Sequence, residues 1–485
     1  MNARLPFFKC LPLVLALAVA GCANDHGLKP NADLAEAEGL GAQASLTDVA
    51  ISPAAWPSPT WWTSLGDRQL DALVDEALRD SPDLQVAAAR AHQAMAAANA
   101  ADADRQPYVA ADASVSRSRL AKVQDPLLTG DRYSTLRSAE VTFDYSFDLW
   151  GGERAAWEAA LGRARAAEVD QQAARLTLAV DVARAYSDLG HAYISADLAR
   201  EDLERTRQML QLGRQRLAAG IDSQYQLQQT ESLEASAQEQ ALNADKQLRS
   251  ARIALAVLLG KGPDRAGDIE RPRILQPAAV ALPSRLPADL LGRRPDLVAA
   301  RWRVEAASRD IDVSKTRFYP NLNLTAAAGT QSMLGDALFG SASRFFNVAP
   351  AVSLPLFDGG RLRAGLDARD ADYELAVAQY NKTLVGALGE VADAINRLQA
   401  LGNQVAAKQH AVDVVRQSYD TVTQRYGSGI GNYLDVLTLE QQLLGAQQQL
   451  AALNAERIDV SIQLMQALGG GYQGLALAST QAPRD

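Results

Sequence analysis

The feature that most constrains this chain is that its sequence repeats. Pro82-Asp83-Leu84 returns as Pro295-Asp296-Leu297 and Pro107 as Pro320, both displaced by 213 residues (295 − 82, 320 − 107). Gly220-Ile221 returns as Gly429-Ile430 and Leu259-Gly260 as Leu468-Gly469, both displaced by 209 (429 − 220, 468 − 259). A repeated unit normally leaves an apolar face for its copy to cover, so two like units are expected. Each reads as a short helix, a β-pair and a very long helical hairpin. The expected boundaries are a leader at 1–21, an N-terminal tether and equatorial segment at 22–80, repeat 1 at 81–266, a Pro-rich linker at 267–294, repeat 2 at 295–475 and a tail at 476–485.

Proline spacing sets the scale of the helices. No proline lies between Pro126 and Pro263, or between Pro355 and Pro483. Gly151-Gly152 and Gly359-Gly360 mark the passage from strand to helix, and Gly220 and Gly429 are the next strong breaks. The outward arms are thus 68 and 69 residues (220 − 152, 429 − 360), about 100 Å of helix. The return arms, Gly220 to Gly260 and Gly429 to Gly469, hold 40 residues each, about 60 Å. Helices opening at Ser81-Pro82 and Pro295 and stacked on the return arms would make up the difference. Caps follow both breaks: Ser223 with Gln226 reads as a capping box, and Asn432 with Asp435 puts an acid in the first turn. Apolar positions such as Leu176, Val180, Tyr186, Leu189 and Leu198 spread too broadly for one seam, as in a helix with neighbours on both sides.

Between helix and hairpin the period changes to two. Val141, Phe143, Tyr145, Phe147 and Leu149 alternate with Thr142, Asp144, Ser146 and Asp148, an aromatic face against an acidic one. The run matches the roughly nine to eleven residues with which a barrel strand crosses a bilayer, so Phe143, Tyr145 and Phe147 are expected to face lipid. Val109, Ala111, Ala113 and Val115 mark a weaker partner. In the second copy Leu322, Leu324 and Ala326 alternate with Asn321, Asn323 and Thr325, and Phe346, Val348, Val352, Leu354 and Leu356 with Asn347, Ala349 and Ser353. Pro350 and Pro355 each remove a ladder donor there. Polar stretches 117–139 and 330–345 are expected as loops. Tyr108, Trp150, Phe318, Tyr319 and Phe357 sit where strands meet helices, as an interfacial aromatic belt does. Four strands cannot close a useful barrel, and open edges are intolerable in lipid, so copies must join. Three would give twelve strands, although strand counting alone leaves other numbers open.

Met1 to Gly21 reads as an export signal, with Arg4 and Lys9 ahead of an apolar stretch and Ala20-Gly21 before Cys22. It is too short to span a bilayer. Val19-Ala20-Gly21-Cys22 resembles a bacterial lipobox; an ordinary signal with an incidental cysteine is the other reading. The lipobox resemblance implies acylation of Cys22 and, with Ala23 rather than an aspartate next, delivery to the outer membrane. Cys10 leaves with the signal, so no intrachain disulfide can form. The remaining 46 cations and 57 acids give a net charge of −11 (46 − 57), which speaks against a nucleic-acid partner. Pro53, Pro57 and Pro59 make residues 23–60 an extended arm, pinned by Trp56, Trp61 and Trp62. His26, His92, His191 and His410 lack metal spacing and there is no Gly-rich phosphate loop, so no catalytic, metal or cofactor site is expected.

Three stretches carry a family resemblance: Trp61-Trp62 to Asp83, Leu286-Pro287-Ala288-Asp289-Leu290-Leu291-Gly292-Arg293-Arg294-Pro295-Asp296-Leu297, and Gly429-Ile430-Gly431-Asn432-Tyr433-Leu434-Asp435-Val436-Leu437. Together they resemble the outer membrane factor family, the TolC/OprM-like group, and within it the NodT-type lipoproteins. The resemblance implies an α+β membrane protein: a homotrimer whose twelve-stranded outer-membrane β-barrel continues into a periplasmic α-barrel of helical hairpins. It implies a periplasmic adaptor and an inner-membrane pump, usually of the resistance-nodulation-division type, with passive conduction of small toxic molecules. The only attached group implied is covalent lipid on Cys22.

By its Leu-Asp-Val-Leu setting, Asp435 resembles an aspartate lining the closed periplasmic tip of such ducts. Three copies would form an acidic ring that concentrates cations, although an acid in the first helical turn is stabilising in any case. This chain has Thr438 where some relatives carry a second aspartate, and Gly431 where some carry an arginine, which speaks against a charge-latched closed state. Gln424, Arg425 and Tyr426 read as a solvated helix end, interhelix bonding or adaptor contact being the alternative. A lipid-anchored scaffold without a pore is the competing class, and metal efflux and type I protein secretion are alternative cargoes.

Overall fold

The computed structural model describes residues 32–35, 56–119, 121, 133–273, 275, 277, 286–333 and 337–473. Cys22, the leader and most of the N-terminal arm lie outside them. The chain divides into two compact units, one of residues 1–34, 91–167 and 300–380, the other of 35–90, 168–299 and 381–485. Each unit takes residues from both repeats.

The first unit holds the sheet. Strands β1 (Tyr108–Arg119), β2 (Tyr133–Phe147), β3 (Asn321–Ser332) and β4 (Arg344–Ser353) are antiparallel in the order β1-β2-β3-β4. The central pair joins the repeats, with Phe143 opposite Ala326. Pro350 lies in β4, an edge strand, where a residue without an N–H is tolerated.

These strands differ at both ends from the sequence expectation. Residues 117–119, 133–139, 330–332 and 344–345, expected as loop, belong to the strands. Ser, Thr, Ala and Arg alternate there with little hydrophobic contrast, so the two-residue period is silent. At the opposite ends Asp148 and Leu149 fall outside β2, and Leu354 and Leu356 outside β4. Asp148 is instead a helix cap: its carboxylate accepts from the backbone N–H of Glu153 at 3.1 Å and of Arg154 at 2.9 Å.

The helices are α1 (Arg68–Asp80), α2 (Pro82–Ala103), α3 (Gly152–Ala218), α4 (Gln224–Leu258), α5 (Leu286–Arg293), α6 (Pro295–Thr316), α7 (Arg361–Gly427) and α8 (Tyr433–Ala467). Both hairpins pair a 67-residue helix with one of 35. Helices α3, α4, α7 and α8 end alike, on Gly220, Gly260, Gly429 and Gly469 at φ 72°, 70°, 80° and 89°. After each, the next N–H reaches back five residues, as from Ile221 to Arg216 O at 2.9 Å and from Ile430 to Arg425 O at 3.1 Å. This satisfies carbonyls that a helix end otherwise strands.

Two of these glycines also permit stacking. A Cβ on Gly260 would lie 2.8 Å from Asp80 O and 2.9 Å from Pro82 Cδ, and one on Gly469 would collide with Arg293 O. The end of α4 therefore abuts the start of α2, and the end of α8 the residues leading into α6. This is the stacking that helix lengths required.

The second unit's cores sit around these junctions. Trp61 and Trp62 pack edge to face at 5.9 Å in a cluster with Leu70, Val74, Leu189 and Leu255. Inside it the Tyr186 hydroxyl donates to Asp67 at 2.6 Å, and Asp67 also accepts from Arg273 N–H at 3.0 Å. Burial is the largest influence on Asp67 and opposes its charge, but the Tyr186 and backbone bonds prevail and hold the carboxylate below its ordinary range. The segment 267–294 is not all linker, because Leu286–Arg293 forms α5 and Leu290 is buried with Val391, Ile395 and Leu464. Eight residues containing Pro287 and Gly292 are too few to display a helical period. Behind α5, Arg294 is buried against Asp296 at 2.6 Å and Glu390 at 2.7 Å.

Candidate functional site

Two regions carry chemistry. The first is the sheet, whose register sorts side chains onto two faces because directly opposed residues share one. One face carries Val109, Ala111, Ala113 and Val115 of β1, Val141, Phe143, Tyr145 and Phe147 of β2, Leu322, Leu324, Ala326 and Ala328 of β3, and Phe346, Val348, Pro350 and Val352 of β4. Tyr145 and Phe147 pack edge to face at 4.8 Å. Val109, Val115, Phe346, Val348 and Val352 are exposed, far more apolar surface than one sheet leaves open to water. The opposite face carries Asp112, Glu140 and Asp144 among Ser, Thr and Asn, with Asp112 directly across from Glu140. Like charges so placed repel, a cost that a wet, cation-accessible surface lowers. Where the strands end, Trp150 stacks on Tyr319 at 4.8 Å and donates its indole N–H to Pro320 O at 2.7 Å.

The second region is the pair of hairpin tips. Gly220 and Gly429 turn the chain, and Ser223 forms the expected capping box with Gln226. Asn432 accepts from Leu434 N–H at 3.2 Å. Arg216, near the end of α3, grips Asp222 in the turn through two bonds of 3.0 and 3.2 Å. Tyr426 of the other hairpin donates its hydroxyl to the same carboxylate at 2.8 Å, while its carbonyl accepts from Arg216 at 3.1 Å. The Arg216 guanidinium lies 4.3 Å from the Tyr426 ring centre. Next to it Tyr433 and Thr230 share a hydroxyl–hydroxyl bond of 2.5 Å.

This knot ties hairpin to hairpin, and Tyr426 is 1% exposed. The reading of a solvated helix end holds for Gln424 and Arg425, which are exposed, and fails for Tyr426. The reason is local. A Cβ on Gly431 would lie 2.6 Å from Tyr426 N and 2.8 Å from its Cα, so the turn folds onto Tyr426 only because position 431 has no side chain. An arginine could not stand there, and the tip's charged pair comes from Arg216 and Asp222 instead. Burial opposes the charge of Asp222 most, but the Arg216 and Tyr426 bonds outweigh it and hold the carboxylate below its ordinary range. Burial, then the bond to Asp222, pushes the Tyr426 phenol up. Asp435 stands outside the knot, exposed in the first turn of α8.

Sequence reasoning missed Asp222, Arg216 and Tyr433, though a signal was present. Shifted by 209, Tyr426 falls on Leu217, Tyr433 on Gln224 and Asp222 on Gly431. The knot uses positions at which the two copies differ. It also missed Glu440, two turns into α8, which is 7% exposed and faces Arg205 at 3.7 Å. Burial, then the charge of Asp202, raises its carboxyl to about 7 against the pull of Arg205.

A sheet with one apolar and one acidic face, joined to unbroken hairpins, defines an outer-membrane channel protein. The model of the outer membrane efflux protein family matches the chain twice, over residues 73–261 and 286–470. Those stretches begin 213 apart (286 − 73) and end 209 apart (470 − 261), the displacements of the repeat itself. The chain is 39% identical over 367 residues to the fusaric acid resistance protein FusA of Burkholderia cepacia, covering 74% of this chain and 68% of that one. It is 31% identical over 435 residues to the multidrug resistance outer membrane protein MdtP of Escherichia coli K12, covering 88% and 89%. The crystal structure of the outer membrane protein VceC from Vibrio cholerae superposes with a TM-score of 0.78 at 37% identity, over 86% of this chain and all of that one. The chain belongs to the outer membrane efflux protein family and is an outer-membrane efflux duct.

Proposed function

We propose that three copies of the chain close one barrel, edge strand β1 of each pairing with β4 of the next, and form the passive exit duct of a tripartite pump. The observation that carries this is the sheet: its apolar face suits lipid, yet both edges lack partners among the described residues, which lipid does not tolerate. Cyclic pairing of four-stranded sheets removes the edges and turns Asp112, Glu140 and Asp144 toward an aqueous lumen. Lipid on Cys22 adds an anchor. A periplasmic adaptor and an inner-membrane pump of the resistance-nodulation-division type supply cargo and energy. The names of FusA and MdtP favour small toxic molecules as cargo.

In this reading the hairpin tips are the inner gate. The knot of Arg216, Asp222 and Tyr426 holds the two hairpins of a protomer together, and three copies of Asp435 line the aperture and favour cations. The test is planar-bilayer recording of the trimer. Wild-type protein is expected to insert as a low-conductance, cation-preferring channel. Asp435→Ala should move the reversal potential in a salt gradient toward zero. An unchanged reversal potential removes Asp435 from selectivity, and a monomer that never conducts removes the duct.

A further inference from the structure

Charge is segregated on the sheet as strictly as polarity. The acidic face holds no Lys or Arg, and the apolar face holds no carboxylate. The apolar face does hold four arginines, all toward the ends where β1 leads into β2 and β3 into β4. Arg137 stands opposite Val115, Arg119 opposite Tyr133, and Arg344 opposite Thr330, with Arg117 between them on the same face. Arg117 and Arg119 lie 5.4 and 5.6 Å from the Tyr133 ring centre. None of the four pairs with an acid among the described residues.

Their depth follows from the register. Phe147 closes the apolar face at the helix end, and Arg137 is ten residues away along β2 (147 − 137). That is about 34 Å of strand, or about 26 Å of barrel height at a tilt of roughly 40°. The apolar band of an outer-membrane barrel is about 25 Å tall. By the same register Arg344 pairs through Thr330 to Ala139, eight residues from Phe147, and Arg119 pairs to Tyr133, fourteen away, so the four span about 16 Å of height across the far edge of the band, where acyl chains give way to head groups. Guanidinium is the side-chain group that matches phosphate through paired hydrogen bonds, and four of them on one apolar face, without an acidic partner among the described residues, suit a local anion.

We propose that this arginine rim binds anionic, phosphate-bearing lipid head groups of the leaflet on the side of the β1–β2 and β3–β4 connections. It rests on the barrel reading above, because only a sheet closed in lipid presents this face to head groups. The rim fixes the depth of the barrel by holding lipid as well as by avoiding water.

The full-length protein in mild detergent is offered phosphatidylglycerol or phosphatidylcholine, and bound lipid is counted by native mass spectrometry at low and high salt. Wild type should prefer phosphatidylglycerol, and salt should weaken that preference. The triple variant R117Q/R137Q/R344Q should lose at least about tenfold of it, while R117K/R137K/R344K keeps most and D112N, on the other face, keeps all. No preference in wild type overturns the proposal, and this reading stands even where the glutamine variant does not insert. Preference retained by the glutamine variant overturns it as well. Displacement by inorganic phosphate at matched ionic strength assigns the rim to a free anion and overturns the lipid version. Bilayer conductance of the same samples separates the two readings: conduction without lipid preference sinks the rim alone, and absence of conduction sinks the barrel.

Discussion

At the first hairpin tip α3 ends through Arg216 and Leu217, and the turn carries Asp222. At the second, 209 residues on, the same places hold Arg425, Tyr426 and Gly431. The backbones match, with a positive-φ glycine, a reach-back hydrogen bond and an N-cap in each. The side chains do not. The first tip carries an acid that its own arginine can hold, and the second carries an aromatic hydroxyl that reaches that acid and a glycine that lets the turn close over it. Duplication supplied the geometry, and divergence between the copies supplied the latch.

The comparison breaks most severely at Asp222. In Asp222→Ala the half-buried Arg216 guanidinium keeps its seat without a counter-charge, and the Tyr426 hydroxyl loses its acceptor. Removing the carboxylate that holds both bonds of Arg216 and the bond of Tyr426 costs about 3 kcal/mol. Tip amides from both hairpins should exchange hydrogen faster, and single-channel conductance should rise. Were only the first hairpin to loosen, the two would not be joined through this carboxylate.

Much of the fold was legible because backbone determinants are local. Gly220 and Gly429, Ser223 and Asn432, and the proline-free spans placed the hairpins within a few residues, and the 209-residue displacement guaranteed that one tip confirmed the other. The apolar alternation around Phe143, Tyr145 and Phe147 placed the apolar face of the sheet. What stayed hidden was whatever depends on a partner distant in sequence. Tyr426 reads as a helix-end residue until Asp222, 204 positions away, is brought to it. The strand ends around Arg117 and Arg137 stayed hidden because a rim arginine breaks the apolar pattern on the very face to which it belongs.

A second contrast uses one residue type in both copies. Glu440 repeats Glu231 at the 209-residue displacement, yet the Glu231 side chain is 46% exposed beside Arg214 and that of Glu440 is 9% exposed beside Arg205. The difference lies in the neighbours, since Glu440 is shut in near Asp202 and Tyr419. Its folded carboxyl titrates near 7, above an unfolded value of about 4.3. The folded state therefore holds its proton more tightly, and the linked stability is complete below about pH 4, declines as pH rises and is gone above about pH 7. The loss across that window is about 4 kcal/mol. Glu440→Gln should flatten the fall in thermal midpoint between pH 5 and about pH 8, and Glu231→Gln should leave it unchanged. Equal effects would mean that the two copies bury this position alike in the assembled protein.

The smallest effect isolates the hydroxyl that crosses between hairpins. Tyr426→Phe keeps the ring under the Arg216 guanidinium and keeps the backbone against Gly431, removing only the bond to Asp222. That carboxylate retains both bonds from Arg216, so the loss is that of one hydrogen bond to a charged acceptor that keeps other partners, about 1 kcal/mol. The tip should open roughly fivefold more often in hydrogen exchange, with stability away from the tip unchanged. Asp222 should also titrate closer to its ordinary range, because one of the two side chains that stabilise its charge is gone, so loosening of the tip on acidification should begin at a higher pH than in wild type. A variant indistinguishable from wild type in both respects would show that the Tyr426 hydroxyl does not help to join the hairpins, and within the knot they would then be held through the bond of Arg216 to the Tyr426 carbonyl, which any residue at 426 can supply.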